Sequence, residues 1–309
     1  MANFYGQFIG FGAVGAAAAP AWYGGGTNYG FMAGGGSHSG IEKFPFASDS
    51  ASVDQSANLS DSRNGCAGGN FSATYGHQAG GYPFSNVIDR FAFVSTATAV
   101  DWGNLTVART HVSSASSETY GHTMGGEAPG YGNPTNDRFP FASNVGASDV
   151  GDVTLGGIYN SPAGHQSATH GYNSVGTRMS PHAQSTRIDK FSFASGGDST
   201  EVGDMTMARY GAAGISSDGY GFAAGGDVAP TTDTIDYFAF ASDGDGSDWA
   251  DLSAVNYSNS GTQSNINGYA TGGSSDSTRM DKFPFASQTT ASDIADLAIG
   301  GNSKSASQY

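Results

Sequence analysis

Cysteine is almost missing from this chain. The one residue present, Cys66, excludes both a disulfide framework and a thiolate zinc site built within the chain. It reads as a small buried thiol. Charge is scarce as well: 13% of the 309 residues are Asp, Glu, Lys or Arg, and only 12 are basic against 27 acidic. The resulting formal net charge of -15 excludes a nucleic-acid groove, which needs clustered Lys and Arg. It equally excludes an electrostatic hold on anionic membranes. No run approaches the ~18 apolar residues of a spanning helix, so no membrane insertion is expected. Residues 1–42 contain neither Lys nor Arg, so the apolar start lacks the basic opening of a secretory signal. Long stretches with helical periodicity are also absent.

What the chain has in excess is glycine, 48 residues, together with many Ser, Thr, Asn and Asp. Alone this would suggest disorder, but 19 Phe and 15 Tyr supply burial that a linker lacks. The aromatics recur. A Phe-x-Phe pair stands at Phe44/Phe46, Phe91/Phe93, Phe139/Phe141, Phe191/Phe193, Phe238/Phe240 and Phe283/Phe285, at steps of 47, 48, 52, 47 and 45 residues. Upstream lies YGFMAGG (29–35), with counterparts starting at 75, 120, 170, 220 and 267. Downstream lies an acid, apolar, small, Asp/Asn, apolar string: DWGNL (101–105), DVGDV (149–153), EVGDM (201–205), DWADL (248–252) and DIADL (293–297), eroded to QSANL at 55–59. A fourth segment is rich in Gly, Ser and Ala, as in HVSSASSET (111–119).

Each segment is short and bounded by turn residues, so each reads as a strand. In IDKFSFA, Asp189, Phe191 and Phe193 point to one face and Ile188, Lys190 and Ser192 to the other. Four strands (A, Gly/Ser-rich; B, YG…GG; C, FxF; D, DxGDL) in about 47 residues, repeated six times, predict an all-β, six-bladed β-propeller. Small residues on A and B suit the crowded axis, and the Phe residues fill the wedge between blades. The B–C–D sets start near 29, 75, 120, 170, 220 and 268. The chain ends on GGNSKSASQY (300–309), which aligns with RYGAAGISSDGY (209–220) and places Tyr309 where a B strand would begin. The tail at 301–309 is therefore expected to be strand A of the first blade and to close the ring, so that no edge is left open.

The Gly-Gly pairs at 34–35, 80–81, 125–126, 225–226 and 272–273, the Trp column at Trp102 and Trp249, and the Arg column at Arg63, Arg109 and Arg209 resemble the kelch repeat. Gly157, Asn256 and Gly301 stand in the Arg column elsewhere. FPFAS (44–48, 139–143, 283–287) combined with DVGDVT (149–154) is similar to repeat proteins of marine tailed bacteriophages. That resemblance implies a virion structural protein, associated with the tail or its fibres, assembled in the host cytoplasm and present in multiple copies among other virion proteins.

Chemistry-bearing residues are few. His77 and His122 share a column that Phe31 and Phe222 fill elsewhere. It reads as a packing position; the sharper alternative is a metal site lining the axis. Asp243, Asp245 and Asp248 form a weak calcium candidate without the closing Glu of an EF-hand. The recurring Asp/Asn of strand D (Asn58, Asn104, Asp152, Asp204, Asp251, Asp296) and the acid before FxF (Glu42, Asp89, Asp137, Asp189, Asp236, Asp281) occur six times each. A catalytic group rarely needs six copies, so both columns read as structural. The basic neighbour of the second column reads as a surface ion partner of small value. No nucleophile elbow, Ser-His-Asp set or phosphate loop is visible, and no cofactor is implied.

Two places remain for function. The B–C loops of the third, fourth and fifth units are the longest, and they carry Tyr131, Pro134, Arg178, Met179, His182 and Arg187. Variable loops on a rigid scaffold are where binding evolves. The N-terminal arm, residues 1–28, is uncharged and carries Phe4, Tyr5, Phe8, Ile9, Phe11, Trp22 and Tyr23. An apolar arm of this kind is expected to dock into a neighbouring subunit. The expectations are thus a non-enzymatic virion scaffold, a module binding a host-surface receptor or glycan through the long loops, or, more remotely, a glycan-degrading enzyme. The last lacks a nominable carboxylate pair.

Overall fold

The computed structural model of the chain describes residues 24–64, 69–154, 158–160, 162–179 and 182–309, with side chains for all of these except 158–160, 178, 179 and 182. Cys66 and the aromatic arm residues from Phe4 to Tyr23 lie outside the described residues. Among the described residues there is no helix, and the strands pair antiparallel into six sheets arranged as a six-bladed β-propeller.

In order A to D, blade 1 is Ser305–Gln308, Tyr29–Ala33, Gly40–Pro45 and Val53–Asn58. Blade 2 is Gly69–Phe71, Tyr75–Ala79, Ser85–Ala92 and Val100–Arg109, and blade 3 is Ser113–Ser116, Tyr120–Met124, Thr135–Pro140 and Ser148–Asp152. Blade 4 is Ala163–Gln166, His170–Ser174, His182–Ser192 and Thr200–Arg209; blade 5 is Ala213–Ser216, Tyr220–Gly226, Thr232–Ala239 and Ser247–Asp251. Blade 6 is Ser260–Gln263, Asn267–Thr271, Arg279–Pro284 and Ser292–Asp296. The C-terminal strand pairs with Tyr29–Ala33 in the register Gly30↔Gln308 to Ala33↔Ser305, which closes the ring as expected.

The core is one contact repeated six times. The third residue of each B strand packs on the FxF pair of the following blade. Phe31 meets Phe91/Phe93, His77 meets Phe139/Phe141, and His122 meets Phe191/Phe193. Tyr172 meets Phe238/Phe240, Phe222 meets Phe283/Phe285, and Tyr269 of blade 6 meets Phe44/Phe46 of blade 1. Each such aromatic pair adds about 0.5–1.5 kcal/mol beyond the area it buries. At the outer rim, the main-chain carbonyls of the strand D column accept an N–H from the next blade's C–D turn. The donors are Ala99 to Asn58, Ala147 to Asn104, Ser199 to Asp152, Gly246 to Asp204, Ala291 to Asp251 and Ser52 to Asp296. That column is structural: it works through its backbone in every blade, and the side chains of Asn58, Asp204 and Asp296 also accept from Ser39, Thr186 and Thr278.

The Gly-Gly pairs have a steric cause. Both glycines take positive φ, and a Cβ on the first would collide with the chain leaving strand D: 2.7 Å from the Arg109 carbonyl oxygen at Gly80, and 2.6 Å from that of Asn256 at Gly225. Meanwhile the second glycine's N–H holds that same connection, as Gly81 does to Arg109 and Gly226 to Asn256. Only glycine enters this conformation at no steric cost. Blade 4 has Val175 there, at φ 54.

Candidate functional site

The recurring acid of strand C is fully buried in each blade, so it is an inter-blade joint and not a surface group. The Asp137 carboxylate accepts from the Thr106 N–H (3.0 Å) and Oγ1 (2.7 Å) of the preceding blade and pairs with Arg109 at 3.0 Å. Asp236 does the same with Thr206 and Arg209, at 2.7 and 3.1 Å. Asp89 takes Ser60 and Arg63. Burial raises the Asp89 and Asp236 carboxyls, while the neighbouring guanidinium and hydroxyl pull them down. The Arg column therefore carries positive charge into these three joints to offset a costly desolvation.

Three joints lack that arginine, and in two of them a cation reaches the acid from elsewhere. Where Gly157 replaces it, Arg187 of blade 4's own strand C lies 4.0 Å from Asp189, 2.7 Å from Thr154 Oγ1 and 2.6 Å from Glu201. Where Asn256 replaces it, Arg279 holds the same strand position, but its guanidinium pairs with Asp276 at 3.3 Å and reaches Asp281 only through its charge. Burial raises the Asp281 carboxyl, and Ser253 and Arg279 lower it. Where Gly301 replaces it, Lys304 pairs with Glu42 at 3.0 Å, both fully buried. Blade 6 also has Ala298 in place of the Ser/Thr. The longer Glu42 makes up for it by accepting from the Ile299 N–H at 2.9 Å and from Ser52 Oγ at 2.6 Å.

Arg187 was a loop-binding candidate; the structure places it in this joint. Sequence reading missed Lys304 and Arg279 as joint residues. Their signals were the STR-x-D string shared by 185–189 and 277–281 and one Lys in a closing segment otherwise free of charge.

His77 and His122 do not line the axis. They are buried between blades, with the His77 ring 4.9 Å from Phe141 and the His122 ring 5.0 Å from Phe191. Burial first, and then the charge of Arg90, lowers the His77 pKa to about 3; burial likewise takes His122 to about 4. A neutral ring pressed on phenyl rings packs as an aromatic.

The calcium candidate is dispersed as well. Asp243 pairs with Lys190 at 2.8 Å, and Asp245 Oδ1 accepts the Asp204 N–H of the neighbouring blade at 3.1 Å. Among the described residues no group of three or more His, Cys, Asp or Glu is placed to hold a metal ion.

That leaves the face formed by the B–C loops and D–A corners. Backbone bridges tie three of the loops to the corner beside them: Asn64 to Tyr82, Thr110 to Glu127, and Tyr210 to Asp227. Tyr210 OH also donates to Asp227 Oδ2 at 2.5 Å, and this bond pushes the phenol up to about 12. The blade 3 loop is a hairpin, Glu127–Ala128 with Tyr131–Gly132; the blade 4 loop adds Thr177–Met179 paired with Ile158–Asn160 and with the start of strand C. The two extensions lie against each other.

Tyr131 stands at the hairpin with 49% of its surface exposed. Pro134 enters strand C, its carbonyl accepting the Val153 N–H. Arg178 and Met179 lie on the added strand, opposite Ala183 and His182. The structure thus brings Tyr131 and the 177–184 strands to one cluster and removes Arg187 from it. Tyr82, 58% exposed and in edge contact with Phe84, is a second aromatic on this face that the loop-length argument passed over.

The opposite face receives the chain's N-terminal side. Gly24 is buried at the end of strand A of blade 6, where its carbonyl accepts from Gln263 Nε2 (3.0 Å) and from Gln308 Nε2. Gly26 bonds Gln263 and Asn265 on either side, and the N–H groups of Thr27, Asn28 and Tyr29 all donate to the Tyr309 carbonyl. Residues 24–28 are therefore sewn across the seam between blade 6 and the closing strand. No family model matches the chain, and no curated protein matches it.

Proposed function

We propose that this protein is a non-enzymatic structural component of a tailed-bacteriophage particle, a rigid propeller held to neighbouring virion proteins through its N-terminal segment. The observation that carries the reading is the entry point of the chain. Residue 24, the first described, sits at the axis of the disc on the face opposite the long B–C loops. A disc anchored at the centre of one face presents the other face outward. The repeat strings FPFAS and DVGDVT support the particle context by resemblance. The recurring acids and histidines are spent on packing and joints, which supports a scaffold over a catalyst. Imaging purified particles at side-chain resolution tests the proposal. Stoichiometric copies, contacted on the A–B turn face, are expected; absence from the particle overturns it.

A second reading is favoured by the exposed Tyr131 and the paired loop extensions of blades 3 and 4. It makes the loop face a receptor- or glycan-binding surface, and it is compatible with the first. Saturable binding of the purified protein to host cells, lost on replacing residues 177–184, is the expected result.

A further inference from the structure

The propeller axis holds a cavity of about 60 Å³ walled by the six A strands. Strand A is the inner edge of each blade, so it turns main-chain N–H and C=O groups toward the axis. Buried groups of this kind are almost always hydrogen-bonded. Two side-chain atoms on the wall have no partner among the described residues: Gln166 Nε2 and Asn259 Oδ1, in residues only 5% and 7% exposed. Neither amide is free to turn. Gln166 Oε1 accepts the Ser116 N–H at 2.6 Å, and Asn259 Nδ2 donates to the Ala224 carbonyl at 3.3 Å. One fixed donor therefore stands near the A–B end of the cavity and one fixed acceptor near its D–A end.

The wall carries no free charge, because its one ionic residue, Lys304, is paired with Glu42. That disfavours an ion. At the ~30 Å³ that a water occupies in the liquid, the volume suits about two water molecules. At the A–B end the Gly24 carbonyl bridges Gln263 and Gln308.

We infer that the axial cavity is a solvent site that holds ordered water molecules, one bonded to Gln166 Nε2 and one to Asn259 Oδ1. The inference does not depend on the particle reading above.

A crystal structure of the full chain at ~1.5 Å, with a second crystal soaked in rubidium bromide, tests it. Ordered peaks within hydrogen-bond distance of both atoms, with no anomalous signal on the axis, are expected. A rubidium or bromide peak there overturns the inference, and so does an axis without ordered density. In Gln166→Met the peak nearest residue 166 is expected to vanish while the one at Asn259 stays; persistence of both overturns the assignment. Should that variant fail to fold, oxygen-17 relaxation dispersion on the native protein still decides. At least two long-lived waters are expected, and fewer would refute the site.

Discussion

A histidine pressed between phenyl rings cannot take up a proton without losing solvation that nothing nearby replaces. His77 and His122 are in that position, and His165, fully buried beside Ile215 and Ser174, is lowered by burial to about 4. The sign follows from linkage. The unfolded chain binds these protons below pH ~6.5 and the fold does not, so stability is full above that value and is lost as pH falls toward 4. At pH 5 each ring costs about 2 kcal/mol. Blades 1 and 5 have Phe31 and Phe222 in the same column. His77→Phe/His122→Phe is therefore expected to keep the fold at pH 7.5 and to flatten the decline of the urea midpoint between pH 6.5 and 4.5. His165 would leave a smaller residual slope. An unchanged slope would mean that the two rings are already protonated in the fold.

At the scale of the strand, the A elements show how closely the blades approach. A Cβ on Gly164 would stand 2.1 Å from the Ser114 carbonyl oxygen, and one on Gly261 would stand 2.1 Å from that of Gly214. The obstacle is backbone, which cannot rotate away. Gly164→Ala is expected to cost about 2–3 kcal/mol, the range of an overpacked core. Gly219→Ala, with nothing within 4 Å of the new atom, should stay within ~0.5 kcal/mol; equal losses in chemical denaturation would refute the steric account.

These elements were legible in the sequence because each column answers a demand of its own blade: small at the axis, aromatic in the wedge, glycine where φ is positive. The joints were harder to read. An acid on strand C meets a cation from the preceding blade in three joints, from its own strand in one and from the closing segment in one, while in the sixth Arg279 pairs with Asp276 and acts on Asp281 through its charge. No fixed spacing links partners that fold together from three different offsets, so Arg279 and Lys304 went unseen and Arg187 passed for a loop residue. The loop cluster was legible only as length, since nothing in the repeat specifies which loops will lean on each other.

For the whole molecule the seam between first and last blades decides stability, because a propeller left open exposes two sheet edges at once. Here the seam is made by nine residues. Ser305–Gln308 completes blade 1, Lys304 neutralises the buried Glu42, the Tyr309 ring lies 5.5 Å from Phe93, and the Tyr309 carbonyl holds three successive N–H groups at 27–29. Removing residues 301–309 strands a buried carboxylate, which alone costs about 3–5 kcal/mol, and uncovers the edge of Tyr29–Ala33. For a chain of this size each kcal/mol lowers the melting temperature by about 2 °C, so a fall of roughly 10 °C or more is expected, with new self-association through the bare edge. A synthetic peptide of residues 301–309 added in trans should restore much of the loss in a saturable way. Lys304→Met in the full chain should lower the melting temperature while leaving the protein monomeric, because the strand still covers the edge. A truncated chain that melts with the intact one, or ignores the peptide, would show that the disc holds its shape without the seam.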